Sequence, residues 1–157
     1  MTVQSLIDKL KERPASVDEL RLEKLDDFQR EVGKLYATIE EWLRPAVLAG
    51  VLSVTRGEAS IREEGLAPYF AEMLSISDGK ITVRLEPIGS RVTDVVASGR
   101  KRYLELRGRV DMVCGPMRIP LVRDRQGVWM ALPLRGEAAN LDEEAFAEIL
   151  SEMLLDE

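Results

Sequence analysis

The chain has 157 residues, of which 45% are hydrophobic and 32% charged, with a net charge of −6. That length fits one ordinary domain able to bury roughly 70% of its unfolded surface without a disulfide or metal staple. With no histidine and one cysteine, serine-histidine and cysteine-histidine nucleophile pairs, HExxH sites and the usual zinc sites are excluded, and so is an internal disulfide.

No apolar run approaches the roughly 18 residues of a membrane span. The start, MTVQSLIDKLKERPAS, has none of the marks of a secretion signal, so the expected compartment is the cytoplasm. Charge is uneven: residues 1–80 carry −4, residues 81–136 carry +6 and residues 137–157 carry −8.

Val3, Leu6, Ile7 and Leu10 recur at helical spacing and predict a short amphipathic helix over 3–12, ended by Arg13-Pro14. Ser16-Val17-Asp18-Glu19 is a capping box that opens a second helix. Its stripe, Leu25, Phe28, Val32, Leu35, Ile39, Trp42 and Ala46, has heptad spacing widened by Tyr36 and Leu43. The stripe suits either a dimerising coiled coil or, the favoured reading, a helix lying on the protein's own sheet. Pro45 is expected to end or kink this helix near Leu43-Arg44, with Ala49-Gly50 finishing the segment.

Beyond Gly50 the period changes to that of strands. Short strands are expected at 51–54 and 59–61 around a turn at Arg56-Gly57, with 63–70 irregular or forming one helical turn. Strands at 73–77 and 80–86 flank the hairpin signal Asp78-Gly79. Further strands are expected at 91–97, 104–112, 117–123 and 128–132. Gly108 is a candidate bend or bulge, and Gly115-Pro116 and Asp124 to Gly127 are turns. Asn140-Leu141-Asp142-Glu143 reads as the cap of a last, acidic helix with the apolar face Phe146, Ile149, Leu150, Met153 and Leu154.

The expected fold is therefore α+β within one domain, 1–157. A helical arm (1–50) precedes a twisted antiparallel sheet or partial barrel of about six to seven strands at 51–134. An acidic helix at 137–157 covers the sheet.

Candidate functional residues follow from chemistry. Arg102, Arg107 and Arg109, with Tyr103 beside them, could bind phosphate by charge and stacking, which makes nucleic-acid binding by the basic region 84–125 one reading. Acidic neighbours Glu105 and Asp111 are expected to pair with those arginines. A third reading, a carboxylate-dependent enzyme, would use Glu86, Asp94, Glu105 or Asp111, yet no ligand or acid-base spacing singles any out. No glycine-rich phosphate loop occurs. Cys114 continues the apolar parity of Val110 and Met112 and is expected to point into the core.

The leading expectation is a non-catalytic protein-interaction module of adaptor, immunity or antitoxin type. It has no cofactor, metal or membrane attachment, and it self-associates through the 17–44 helix by way of Leu35, Tyr36 and Trp42. Leu35-Tyr36, Trp42-Leu43-Arg44-Pro45, Pro87-Ile88-Gly89 and Gly108-Arg109-Val110-Asp111 together resemble bacterial proteins of similar length, a likeness that carries over no site.

Overall fold

A computed structural model describes residues 2–12, 17–63, 67–90, 95–97, 100–102, 108–124, 126–133 and 138–155, with 12, 17–24, 95–97 and 100–102 described by backbone alone. Helices α1 (Val3–Glu12) and α2 (Val17–Leu48) come first, and strands and a last helix follow. The strands are β1 (Ser53–Ile61), β2 (Tyr69–Ser77), β3 (Thr82–Gly89), β4 (Val95–Ala97), β5 (Arg100–Arg102), β6 (Gly108–Cys114), β7 (Met117–Arg123), β8 (Trp129–Ala131) and β9 (Ala139–Asn140), and α3 spans Glu143–Leu155. Seven strands form an open antiparallel sheet in the order β1-β2-β3-β6-β7-β8-β9, while β4 and β5 pair separately between β3 and β6. The α+β reading holds, and the sheet is open, with β1 and β9 at its edges.

Alternation along each strand sends Leu74, Ile76, Val83, Leu85, Val110, Met112, Ile119 and Leu121 to one face, and all are at most 4% exposed. The stripes of α2 and α3 cover that face. Phe28, Val32, Leu35, Tyr36, Ile39 and Leu43 from α2 join Phe146, Ile149, Leu150 and Met153 from α3 in one contiguous cluster with these strands. Each fully buried aliphatic or aromatic side chain there contributes roughly 1.5–3 kcal/mol before the entropy of ordering is subtracted. Trp42 and Phe146 join the two helices, with ring centroids 5.8 Å apart.

Local sequence explains most boundaries, and several differ from expectation. Pro45 lies inside α2, because proline's φ suits a helix and its missing donor forfeits only one bond, at the exposed residue Glu41. Termination comes at Gly50, whose φ of 75° lets Gly50 N–H reach Val47 O at 3.0 Å and Val51 N–H reach Ala46 O at 3.1 Å. Those two bonds are a Schellman cap.

No turn forms at Arg56-Gly57. Instead β1 runs unbroken, with Gly57 opposite Met73, and β2 begins at Tyr69 inside the stretch expected to be irregular. The next hairpin has Gly79-Lys80 at its tip, since Asp78 N–H donates to Ile81 O at 3.2 Å. Asp78 acts from the side: its Oδ1 accepts the N–H groups of Lys80 and Ile81, each at 2.8 Å. These backbone donors hold its carboxyl below the usual range.

The bulge falls at Ile88, between the pairs Pro87–Val110 and Gly89–Arg109, so Gly108 has a different reason to be glycine. A Cβ there would stand 2.7 Å from the Phe28 ring, so α2 can lie this close to β6 only because that atom is missing. Finally, Asp142, not Asn140, caps α3: its Oδ1 accepts Ala145 N–H at 2.8 Å while Asn140 pairs with Met130 in β9. Of the expected strands 91–97 and 104–112, residues 91–94 and 104–107 lie outside the described residues.

Candidate functional site

The sheet face opposite the helices carries the clearest arrangement of charge. Glu86 in β3 and Asp111 in β6 stand directly opposite one another in register, which by itself is an unfavourable pair of like charges. Arginines intervene. Arg109 gives Asp111 two parallel bonds, Nε to Oδ1 at 2.7 Å and Nη2 to Oδ2 at 3.1 Å. Arg118 donates Nη1 to Asp111 Oδ2 at 2.6 Å and brings Nη2 to 3.7 Å from Glu86 Oε2. Arg84 closes the row, its Nη2 lying 3.4 Å from Glu86 Oε1.

Charge therefore alternates from Arg84 through Glu86, Arg118 and Asp111 to Arg109. Asp111 is only 1% exposed, so the expected arginine pairing is present, but the carboxylate is buried and not solvated. A buried charge must be fully paired, and the two guanidinium groups satisfy that requirement. The bond to Asp111 in turn pushes the Arg118 pKa up. Beside this row Val122 and Leu132 form a second small apolar cluster with Met130 and Ala138.

A second ion pair, buried on the arginine side, ties α2 to the sheet. Arg123 Nη1 donates to Asp27 Oδ2 at 2.6 Å, Glu31 Oε2 lies 4.0 Å from Nη2, and the Arg123 side chain is 8% exposed. Burial works to raise the Asp27 pKa, but the bonds and charges of Arg123 and Arg30 outweigh it and hold the carboxyl below its ordinary value. Gly127 leaves room for this guanidinium, which sits 3.2 Å from where a Cβ would be.

At the same end of the sheet, toward β1, Tyr69 Oη donates to Glu63 Oε2, and Ser90 Oγ reaches both Glu63 oxygens at 2.9 and 3.2 Å. Gly89 makes space for Glu63, whose Oε1 is 2.7 Å from the position of an added Cβ. Burial first, then the Glu63 carboxylate, pushes the Tyr69 phenol pKa up.

The residues picked out by sequence disperse. Arg109 belongs to the charged row. Tyr103, Arg107, Glu105 and Asp94 lie outside the described residues, and Arg102 is described only as backbone in β5. Leu35 is 5% exposed and Tyr36 fully buried, its hydroxyl donating to Leu85 O at 3.2 Å. Burial pushes the Tyr36 phenol pKa up, with the Glu72 charge adding to it. Trp42 is partly buried against the same core. The helix stripe thus lies on the protein's own sheet, the favoured of its two readings. Cys114 likewise packs on the core, its Sγ 3.5 Å from Met153 O.

The stripe that the sequence marks without giving it a role is that of α1. Val3, Leu6, Ile7 and Leu10 are 75, 45, 39 and 54% exposed, so the apolar side of this helix faces solvent. Helical spacing marks such a stripe, but spacing cannot say whether anything covers it.

Among the described residues no group of three or more His, Cys, Asp and Glu side chains could hold a metal ion, and no helix is long and apolar enough to cross a membrane. Compared with protein-family models, curated proteins and solved structures, the chain matches none.

Proposed function

We propose that the chain is a non-catalytic protein-interaction module, acting in the cytoplasm, that engages a protein partner through the apolar stripe of α1. One observation carries this reading: α1 leaves Val3, Leu6, Ile7 and Leu10 exposed, whereas the corresponding stripes of α2 and α3 are buried. A free helix shorter than about 12–15 residues is marginal in water. Covering its stripe in an apolar groove stabilises helix and complex together, by roughly 1.5–3 kcal/mol per fully buried side chain less the cost of ordering. The polar residues Asp8, Lys9 and Lys11 on the same helix suit the rim of such a contact.

The lack of histidine supports the non-catalytic half of the reading. Self-association through the 17–44 helix draws less support, because Leu35 and Tyr36 are already covered by the chain itself. Nucleic-acid binding by region 84–125 also draws less, since Arg109, Arg118 and Arg123 each face a carboxylate.

Photo-crosslinking from positions 6 and 10 in cells tests the proposal. Both positions should give a discrete crosslinked species that a crosslinker at Asp8 does not, and with the crosslinker at one of them glutamate at the other (Leu10→Glu or Leu6→Glu) should abolish it without moving the unfolding midpoint. Equal, diffuse labelling from all three positions would reject it.

A further inference from the structure

The edge strand β1 offers an interaction surface independent of α1. All nine of its residues lie in one regular ladder with β2, and among the described residues nothing pairs with its other side. Ser53, Thr55, Arg56, Gly57, Glu58 and Ser60 are exposed. Its backbone N–H and C=O groups on that side are a template for another strand. The opposite edge, β9, has only two residues.

We propose that two copies of the chain join antiparallel through β1, about a two-fold axis at Gly57, making one continuous sheet across the dimer. The pleat requires facing residues to lie on the same side of the sheet, so a strand that pairs with its own copy must be centred on a residue. The registers that keep the middle of β1 in the ladder are centred on Arg56, Gly57 or Glu58. Centring on Arg56 or on Glu58 sets like charges face to face. Centring on Gly57 sets Arg56 opposite Glu58 of the second copy, twice by symmetry.

The charges within one chain favour that pairing. Glu58 stands opposite Glu72 on β2 and has no ion pair among the described residues. Arg56 bonds Glu40 through Nε and Nη2 and Glu72 through Nη1 at 2.9 Å, which leaves a second N–H on each terminal nitrogen for a further acceptor. On the other face Ser53, Thr55, Gly57 and Ala59 are small, so no bulky side chain stands between the copies. Arg56 and Glu58 thus disfavour strands of other sequence and select the chain's own copy.

Sedimentation velocity of the full chain tests this first, with a dimer expected. Glu58→Arg, which places arginine opposite Arg56 at both symmetric sites, should weaken the dimer by about 10-fold or more while the circular dichroism stays that of the parent. Register is tested by disulfide formation with Cys114 replaced by Ser. Gly57→Cys should link to itself, since its Cβ would meet only Met73 Cε at 3.7 Å. Thr55→Cys should link only when mixed with Ala59→Cys. The stripe variant Leu6→Glu with Leu10→Glu should remain dimeric, which separates this surface from that of α1. A monomer at every concentration, or a dimer that ignores Glu58→Arg and gives no Gly57→Cys link, would overturn the proposal.

Discussion

Arg123 Nη1 lies 2.6 Å from Asp27 Oδ2, joining the end of β7 to the first half of α2 across 96 residues of sequence. Because the guanidinium is nearly buried while Asp27 keeps some solvent contact, the two partners are not equivalent. Arg123→Ala should destabilise the protein by about 1.5–3 kcal/mol in urea unfolding, through the lost charge-assisted bond and the packing of the arginine stem. Asp27→Asn, which keeps an acceptor, should have a smaller effect.

The same pair sets a pH dependence. Asp27 is held below its ordinary value of 3.8, so its contribution is complete above that value and disappears as pH falls through the lower, folded-state value. Thermal midpoints followed from neutral pH downward should show a drop below about pH 4. In Asp27→Asn that drop should be shallower, and an unchanged profile would remove Asp27 from the acid response.

Gly108→Ala should be destabilising despite alanine's smaller backbone entropy loss. The added methyl would meet the Phe28 ring at 2.7 Å, inside any normal contact. Overpacking of this kind costs about 1–3 kcal/mol. Phe28→Leu combined with Gly108→Ala should lose less than the two single effects together, and strict additivity would count against direct contact.

Removing the negative charge of Asp111 should both destabilise and unmask. Asp111→Asn leaves the Arg109 and Arg118 guanidinium groups without their shared carboxylate, one of them only 25% exposed. The loss should be about 2–4 kcal/mol by chemical denaturation. Retention on a polyanion column at low salt should rise, which would demonstrate how far Asp111 masks this face.

Cys114 gives a check on the register of β6. Its side chain packs on the core beside Met153, so a small thiol reagent should label the native protein at least about 10-fold more slowly than the unfolded chain. Equal rates would move it to the surface.

Patterns with a fixed period were readable from sequence, and contacts across the chain were not. Helical and alternating spacing found the three helices, the core face of β6 and the inward direction of Cys114. Gly57 and Gly108 misled because glycine has several physical uses. One sits in an unbroken edge strand and the other under a phenylalanine, while a sequence shows only the missing side chain. Asp111 could be paired with arginine on strand parity alone, but its burial depends on what lies over the sheet. The partnership of Arg123 with Asp27 leaves no periodic trace at all. Of the residues first singled out for binding, Leu35, Tyr36 and Trp42 were noticed because they are large and apolar, which is also why they are in the core.

α2 braces strands that are made after it, two of them long after. Phe28 rests against Gly108, Asp27 holds Arg123, and Glu40 meets Arg56. A ribosome adding about 5–20 residues per second would complete this helix roughly 4–15 s before it delivers the last of those strands. For that interval the stripe from Phe28 to Leu43 has at most part of its sheet to lie on, so the nascent chain keeps apolar surface uncovered during synthesis. Slowing translation between residues 50 and 123 should then lower the yield of native protein, most sharply in cells short of chaperones.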